Sequence, residues 1–156
     1  MKEMSTSRKR RVERVHSRVI DTNVSDSAEA VYLHTAEDSK TLIRAWIDLT
    51  VSPIDTAMTT TVPCEVALVI RPGGASVASA DVSQSLDGDV PLQEIGRWWG
   101  EAMQHSTNGI LVTDKIQVDT KAMRKMKAGD IVSLVYVAGT TGDLRLRGNV
   151  YLWFKE

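Results

Sequence analysis

The segment from Thr41 to Val51, TLIRAWIDLTV, decides the fold class of this chain. One alternate set of its residues is wholly apolar and consists of Ile43, Ala45, Ile47, Leu49 and Val51. A period of two is typical of a β-strand, because successive side chains of a strand point to opposite faces of the sheet. The segment therefore predicts a strand with one face buried in a core.

Comparable segments rich in β-branched and aromatic residues recur along the chain. Further strands are predicted over residues 64–70, 110–118, 131–138 and 144–154, with weaker candidates at 31–34 and 76–80. Residues 91–105 fit a strand and a helix about equally well, and 121–127 fit one helical turn or a basic loop. Seven to nine short strands without a long helix predict an antiparallel all-β sandwich or barrel.

The size and composition of the chain indicate one domain. With 156 residues, 42% of them apolar, the chain is long enough to bury a core without covalent staples. Cys64 is the only cysteine, which excludes an internal disulfide and a cysteine-based zinc site. No apolar run approaches the ~20 residues that cross a bilayer, and no signal peptide is recognised, so we expect a soluble protein with no membrane partner.

The charges are divided unevenly along the sequence. Residues 1–18 contain seven Lys or Arg and two Glu, a net +5, whereas the other residues contain twelve cations and eighteen acids, a net −6. We therefore predict a disordered basic arm over residues 1–20 and a β-domain over 21–156, with the arm directed at a polyanion. Val12, Val15 and Val19 have helical spacing, so the arm is expected to form a short helix once its charges are compensated. The alternatives are a solubilising tail or a nuclear localisation signal.

Catalytic and metal-binding motifs are not found in the sequence. There is no nucleophile elbow and no phosphate-binding glycine loop, and His16, His34 and His105 are widely separated. Asp87-Gly88-Asp89 suits a solvated turn better than a calcium loop, because further spaced carboxylates are missing. We expect no enzymatic activity, no cofactor and no metal.

Two sequence features are compatible with nucleic-acid binding by the domain itself. Four tryptophans offer rings that stack bases in an OB-like barrel, or alternatively serve as core and interface anchors: Trp46, Trp98, Trp99 and Trp153. A second basic cluster spans residues 121–127. Its alternative interpretation is an exposed loop that protects a sheet edge from unwanted pairing.

The segment from Asp119 to Asp130, DTKAMRKMKAGD, is followed by an apolar strand and by a closing strand over 148–154, and it resembles capsid proteins of small circular, Rep-encoding single-stranded DNA viruses known from environmental genomes. Thr41 to Arg44 is similar as well. The resemblance implies an eight-stranded antiparallel jelly roll whose copies assemble into an icosahedral shell, with a basic N-terminal arm on the packaged genome. The arm departs from the family pattern, since it is short and interrupted by two glutamates.

The leading hypothesis is therefore a non-enzymatic coat protein, located in the virion and, before assembly, in the host nucleus. Its expected partners are further copies of itself and viral nucleic acid, single-stranded DNA, bound without sequence preference. The expected phosphate contacts are Arg8, Lys9, Arg10, Arg11, Arg14, Arg18, Lys121, Arg124, Lys125 and Lys127. The competing hypotheses are an OB-like module for single-stranded nucleic acid and a lectin-like ligand binder.

Overall fold

The computed structural model describes residues 13–54, 61–72, 93–105, 110–139 and 144–156, with the backbone alone at 13, 93, 103–105 and 110–112. These residues form ten strands and no helix. The strands are β1 (Glu13–Val24), β2 (Glu29–Thr35), β3 (Lys40–Pro53), β4 (Val62–Arg71), β5 (Gln93–His105), β6 (Ile110–Val112), β7 (Asp114–Thr120), β8 (Arg124–Met126), β9 (Ile131–Ala138) and β10 (Leu144–Lys155).

The strands form two sheets in which every pairing is antiparallel. The first, which we call the β1 sheet, has the order β1-β10-β3-β7, and β8 also pairs with β3. The second, the β2 sheet, has the order β2-β9-β4-β5-β6. The two sheets face each other across one large apolar core.

The order of the strands shows that the fold is a jelly roll. The first half of the chain pairs with the second half in reverse, as β1 with β10, β2 with β9, β3 with β7 and β4 with β5. Rolling this long antiparallel ribbon brings β10 beside β3 and β9 beside β4, which completes both sheets. The short strand β8 continues the pairing of β7 along β3, and the short strand β6 pairs with the end of β5. The eight-stranded jelly roll is therefore confirmed, and a closed OB-like barrel is not what forms.

The strand β3 supplies one wall of the core, as its alternating sequence predicted. Ala45, Ile47, Leu49 and Val51 are all buried. The predicted face is wrong at its first position, where Leu42 is buried instead of Ile43. Phe154 pairs with Leu42 while Trp153 pairs with Arg44, so Ile43 is the additional residue of a β-bulge that shifts the alternation by one.

Four sequence-based expectations are corrected or decided by the structure. Residues 13–20 belong to β1, which pairs with β10 along its whole length, so these residues are part of the folded domain and not of a disordered arm. The helix expected from Val15 and Val19 is therefore wrong within these residues, and both side chains are exposed on a strand. The ambiguous segment 93–105 is a strand, and 121–127 consists of an extended connection and β8. The strand candidate 76–80 and the turn at Asp87 lie outside the described residues.

One glycine is required by the packing of the β1 sheet. Gly148 lies in β10 between Ile20 of β1 and Leu49 of β3, with a φ of 144°. A Cβ atom at this position would collide with the backbone carbonyl oxygen of Asp48. Glycine alone combines this positive φ with so close an approach of a neighbouring strand.

Within the described residues, no helix is long and apolar enough to cross a membrane.

Candidate nucleic-acid interface

Several strand ends meet at one end of the sandwich, which we call the basic end. Lys155 of β10 is paired with Glu13, the first residue of β1, and with Thr41 near the start of β3. Lys40 pairs with Met126 of β8, and Arg71 at the end of β4 pairs with Ile131 at the start of β9. The chain segment before residue 13 is therefore attached at this end of the domain.

The short strand β8 presents two lysines at the basic end because of its alternation. Met126 is 2% exposed and belongs to the core, whereas its neighbours Lys125 and Lys127 are exposed. Burial of a methionine thus directs the lysines on both sides of it away from the core. The sequence Lys-Met-Lys thus places two exposed cations beside the start of β3.

The turn that follows β8 is anchored to the connection between β2 and β3. The Asp130 carboxylate accepts a hydrogen bond from the Lys127 backbone N–H at 2.8 Å, and Gly129 has a φ of 91°. Ala36 donates to the Asp130 carbonyl at 2.8 Å and accepts from the Gly129 N–H at 2.7 Å. These bonds hold Lys127 next to the start of β3.

An open cleft of about 690 Å³ lies between these elements. Its charged lining consists of Lys40, Lys125, Lys127, Lys155, Asp130 and Glu156. Four lysines thus face two acids. Glu156 is also 3.5 Å from the Arg14 guanidinium, which adds a fifth cation beside the cleft. A polyanion gains from such a concentration of positive charge, since each neutralised phosphate releases condensed counterions.

Lys40 connects the cleft to a histidine pair behind it. Its side chain is only 8% exposed, and its Nζ lies 3.4 Å from His34 Nε2 and 3.4 Å from Asp38 Oδ1. The His34 ring lies 4.2 Å from that of His16, between centroids, and both rings contact Phe154. Burial, and then the nearby His16 and Lys40, lower the pKa of His34 to about 4, although Glu37 and Asp38 act in the opposite direction.

Acidification is expected to lower the stability of the domain through His34. The folded state holds His34 neutral with a pKa of about 4, below its ordinary 6.5, so the unfolded chain binds more protons between these values. This contribution to the free energy of unfolding is fully present above pH 6.5 and is lost as the pH falls through 4. Thermal melts from pH 7.5 to 4 should show a smaller decrease of Tm for His34→Gln than for the unsubstituted chain. Parallel pH profiles of the two proteins would contradict this assignment.

The outer face of the β1 sheet also carries cations, but these are paired with acids. Arg44 donates two hydrogen bonds to Asp119, at 2.9 and 2.6 Å, and this bond holds the pKa of the Asp119 carboxyl below its usual range. The remaining ion pairs join Lys115 to Asp48 and join Arg145 and Arg147 to Asp21. This face therefore offers less uncompensated positive charge than the basic end.

The structure brings together some of the residues expected to contact phosphate and separates others. Lys125 and Lys127 line the cleft, and Arg14 lies beside it. Arg18 lies in the middle of β1, opposite Val150, whereas Lys121 and Arg124 lie in and after the β7–β8 connection without lining the cleft. Arg8, Lys9, Arg10 and Arg11 lie outside the described residues. Lys40 and Lys155 were not predicted, because only the long-range strand register brings them to β8.

The tryptophans do not form a common stacking surface. Trp98 packs against the core, whereas Trp99 is 63% exposed on the β2 sheet. Trp46 and Trp153 lie on the outer face of the β1 sheet, where the Arg44 guanidinium lies 4.9 Å from the Trp153 ring. The four tryptophans are therefore divided between the core and both sheets, and they do not share one stacking surface.

Other reactive groups in the described residues provide no alternative centre. Cys64 is buried, and burial raises the pKa of its thiol to about 12, so the thiol is protonated at neutral pH. No group of three or more His, Cys, Asp or Glu side chains in the described part of the chain is placed to hold a metal ion.

No protein-family model and no curated protein matches the chain. Similar solved structures include infectious bursal disease virus, Gx strain, at 9% identity and a TM-score of 0.44, covering 90% of this chain and 32% of that chain. Desmodium yellow mottle tymovirus is similar at 16% identity and a TM-score of 0.33, covering 93% of this chain and 90% of that chain. Turnip yellow mosaic virus is similar at 11% identity and a TM-score of 0.29, covering 94% of this chain and 95% of that chain. The chain spans about a third of the length of the bursal disease virus chain. Similarity at these identities and TM-scores does not identify a family of single-stranded DNA viruses.

Proposed function

We propose that this chain is a viral coat protein that assembles into a small icosahedral shell and packages nucleic acid. The observation that carries the proposal is the position of the basic end: a jelly roll collects an excess of lysines over acids where the basic N-terminal segment joins the domain. The rigid sandwich and the cationic N-terminal segment then bind the same polyanion from the same side of the shell. The resemblance of residues 119–130 to capsid proteins of small circular single-stranded DNA viruses agrees with this assignment.

The proposed ligand is the genome of the virus, single-stranded DNA, held through its phosphates. Lysine and arginine contacts to phosphate carry no sequence information, so binding is expected to be indifferent to sequence and strongly weakened by salt. The protein has no catalytic role in this proposal, and its location is the virion.

The test is assembly combined with the nucleic-acid content of the product. The full chain, purified at micromolar concentration and physiological salt, should give particles in size-exclusion chromatography and negative-stain microscopy, with nuclease-protected nucleic acid inside. Substituting Arg8, Lys9, Arg10 and Arg11 by glutamine should lower the packaged nucleic acid severalfold, because four phosphate contacts per copy are removed. A control variant that exchanges three cations of the outer face of the β1 sheet, Lys115, Arg145 and Arg147, for glutamine should package normally. A monodisperse monomer would overturn the proposed function.

A further inference from the structure

The charge balance of the cleft at the basic end indicates what it binds. Its two acids are already engaged, since Asp130 accepts the Lys127 N–H at 2.8 Å and Glu156 lies 3.5 Å from Arg14. In and beside the cleft, the cations Lys40, Lys125, Lys127, Lys155 and Arg14 outnumber the acids Asp38, Asp130 and Glu156 by five to three. Such an excess in a concave site attracts an anion of several charges more strongly than a single carboxylate.

Lys40 differs from the other three lysines because it is held in place. Its stem lies in the protein, its side chain is 8% exposed, and its Nζ is 5.6 Å from the centre of the Phe154 ring. The neighbouring carboxylate of Asp38 is 63% exposed, and at 3.4 Å from Nζ it compensates the ammonium only in part. Lys40 therefore contributes a positioned charge to the inner wall, whereas Lys125 and Lys127 contribute exposed charges.

The character of the lining favours the backbone of a nucleic acid over its bases. Among the described residues that line the cleft there is no aromatic ring on which a base stacks. Lysines act as point charges toward phosphate and need no fixed orientation. A volume of about 690 Å³ is within the range of sites that hold small organic ligands, so the cleft has room for a phosphodiester segment.

We propose that this cleft is a binding site for the phosphodiester backbone of the packaged nucleic acid, with Lys40 at its inner wall and Lys125, Lys127 and Lys155 around it. The inference rests on the proposed function for the identity of the polyanion. It assigns to the folded domain a fixed contact with nucleic acid, separate from the contacts of residues 1–12.

The test measures binding of a fluorescently labelled 20-nucleotide oligothymidylate to the full chain by anisotropy, over a series of salt concentrations. The variant Lys125→Gln, Lys127→Gln, Lys155→Gln should bind about tenfold or more weakly at low salt. Its plot of log K against log salt should be less steep by about 2, because three single-strand phosphate contacts are lost at about 0.7 each. Lys40→Met, which keeps the buried stem, should weaken binding severalfold without lowering the Tm.

The matched control is Lys115→Gln, Arg145→Gln, Arg147→Gln, which removes the same charge from the outer face of the β1 sheet and should change the affinity less than twofold. Equal losses of affinity from both triple variants would overturn the proposal that the cleft is the binding site, because binding would then follow net charge alone. The proposed function would remain intact. If the unsubstituted chain binds no oligonucleotide, the nucleic-acid part of the proposed function fails instead.

Inorganic phosphate is the other ligand that offers phosphate oxygens to these lysines. Replacing chloride by inorganic phosphate at matched ionic strength should displace the oligonucleotide no more than the salt series predicts. Specific displacement at millimolar phosphate, abolished in the cleft variant, would overturn the assignment to a nucleic-acid backbone.

Discussion

Gly148→Ala is expected to destabilise the domain by about 3 kcal/mol or more. The φ of Gly148 is 144°, a conformation that other residues rarely adopt, and the new Cβ would collide with the carbonyl oxygen of Asp48 in β3. Relief requires β10 and β3 to separate at their centre, where β10 also pairs with β1. Urea unfolding followed by circular dichroism measures the loss.

The control for this substitution is the next residue of the same strand. Asn149 is half-buried and pairs with Val19 and Asp48, and Asn149→Ala should change the free energy of unfolding by less than about 1 kcal/mol. A Gly148→Ala protein as stable as the Asn149→Ala protein would show that β10 and β3 are farther apart than described.

Phe154→Ala is expected to cost about 3–5 kcal/mol, because it leaves a cavity where a fully buried aromatic side chain was. Phe154 is 1% exposed and is packed against His16, His34 and Lys40. Since those groups come from β1, β2 and β3, the cavity weakens the contact between the two sheets at the basic end. The measurement is again equilibrium unfolding in urea.

Val19→Ala is the control for Phe154→Ala, because it also removes apolar atoms but from a side chain that is 75% exposed. It should change stability by less than about 0.5 kcal/mol. If Val19→Ala lowered the free energy of unfolding as much as Phe154→Ala does, the Val19 side chain would be buried in the folded protein, and β1 would present the opposite face to the core.

The strands rich in β-branched and aromatic residues could be predicted from the sequence alone. The prediction for 131–138 has the bounds of β9, and the one for 144–154 ends one residue before β10 does. A buried face requires apolar residues at every second position, and this requirement is visible without knowledge of the partner strand. The bulge at Ile43 could not be predicted, because it depends on how Trp153 and Phe154 pair with β3.

The first strand was misassigned for a related reason. The cations Arg14 and Arg18 suggested a disordered arm, yet His16 packs on Phe154 and Ile20 is buried. Pairing with β10 over the full length of β1 outweighs the local charge density. Two of the four lysines of the cleft, Lys125 and Lys127, were likewise predicted from the sequence. Lys40 and Lys155 are brought to the cleft only by the pairing of β3 with β8 and β10.

The reversed pairing of the two halves of the chain has a consequence for biogenesis. The β10 strand lies between β1 and β3, yet it follows both of them in the sequence by about ninety residues or more. During translation, the β1 sheet therefore has a vacant middle until β10 leaves the ribosome, and contacts of such sequence separation form slowly. A nascent chain from which β10 has not yet emerged thus lacks the strand that joins β1 to β3, and its β1 sheet is incomplete.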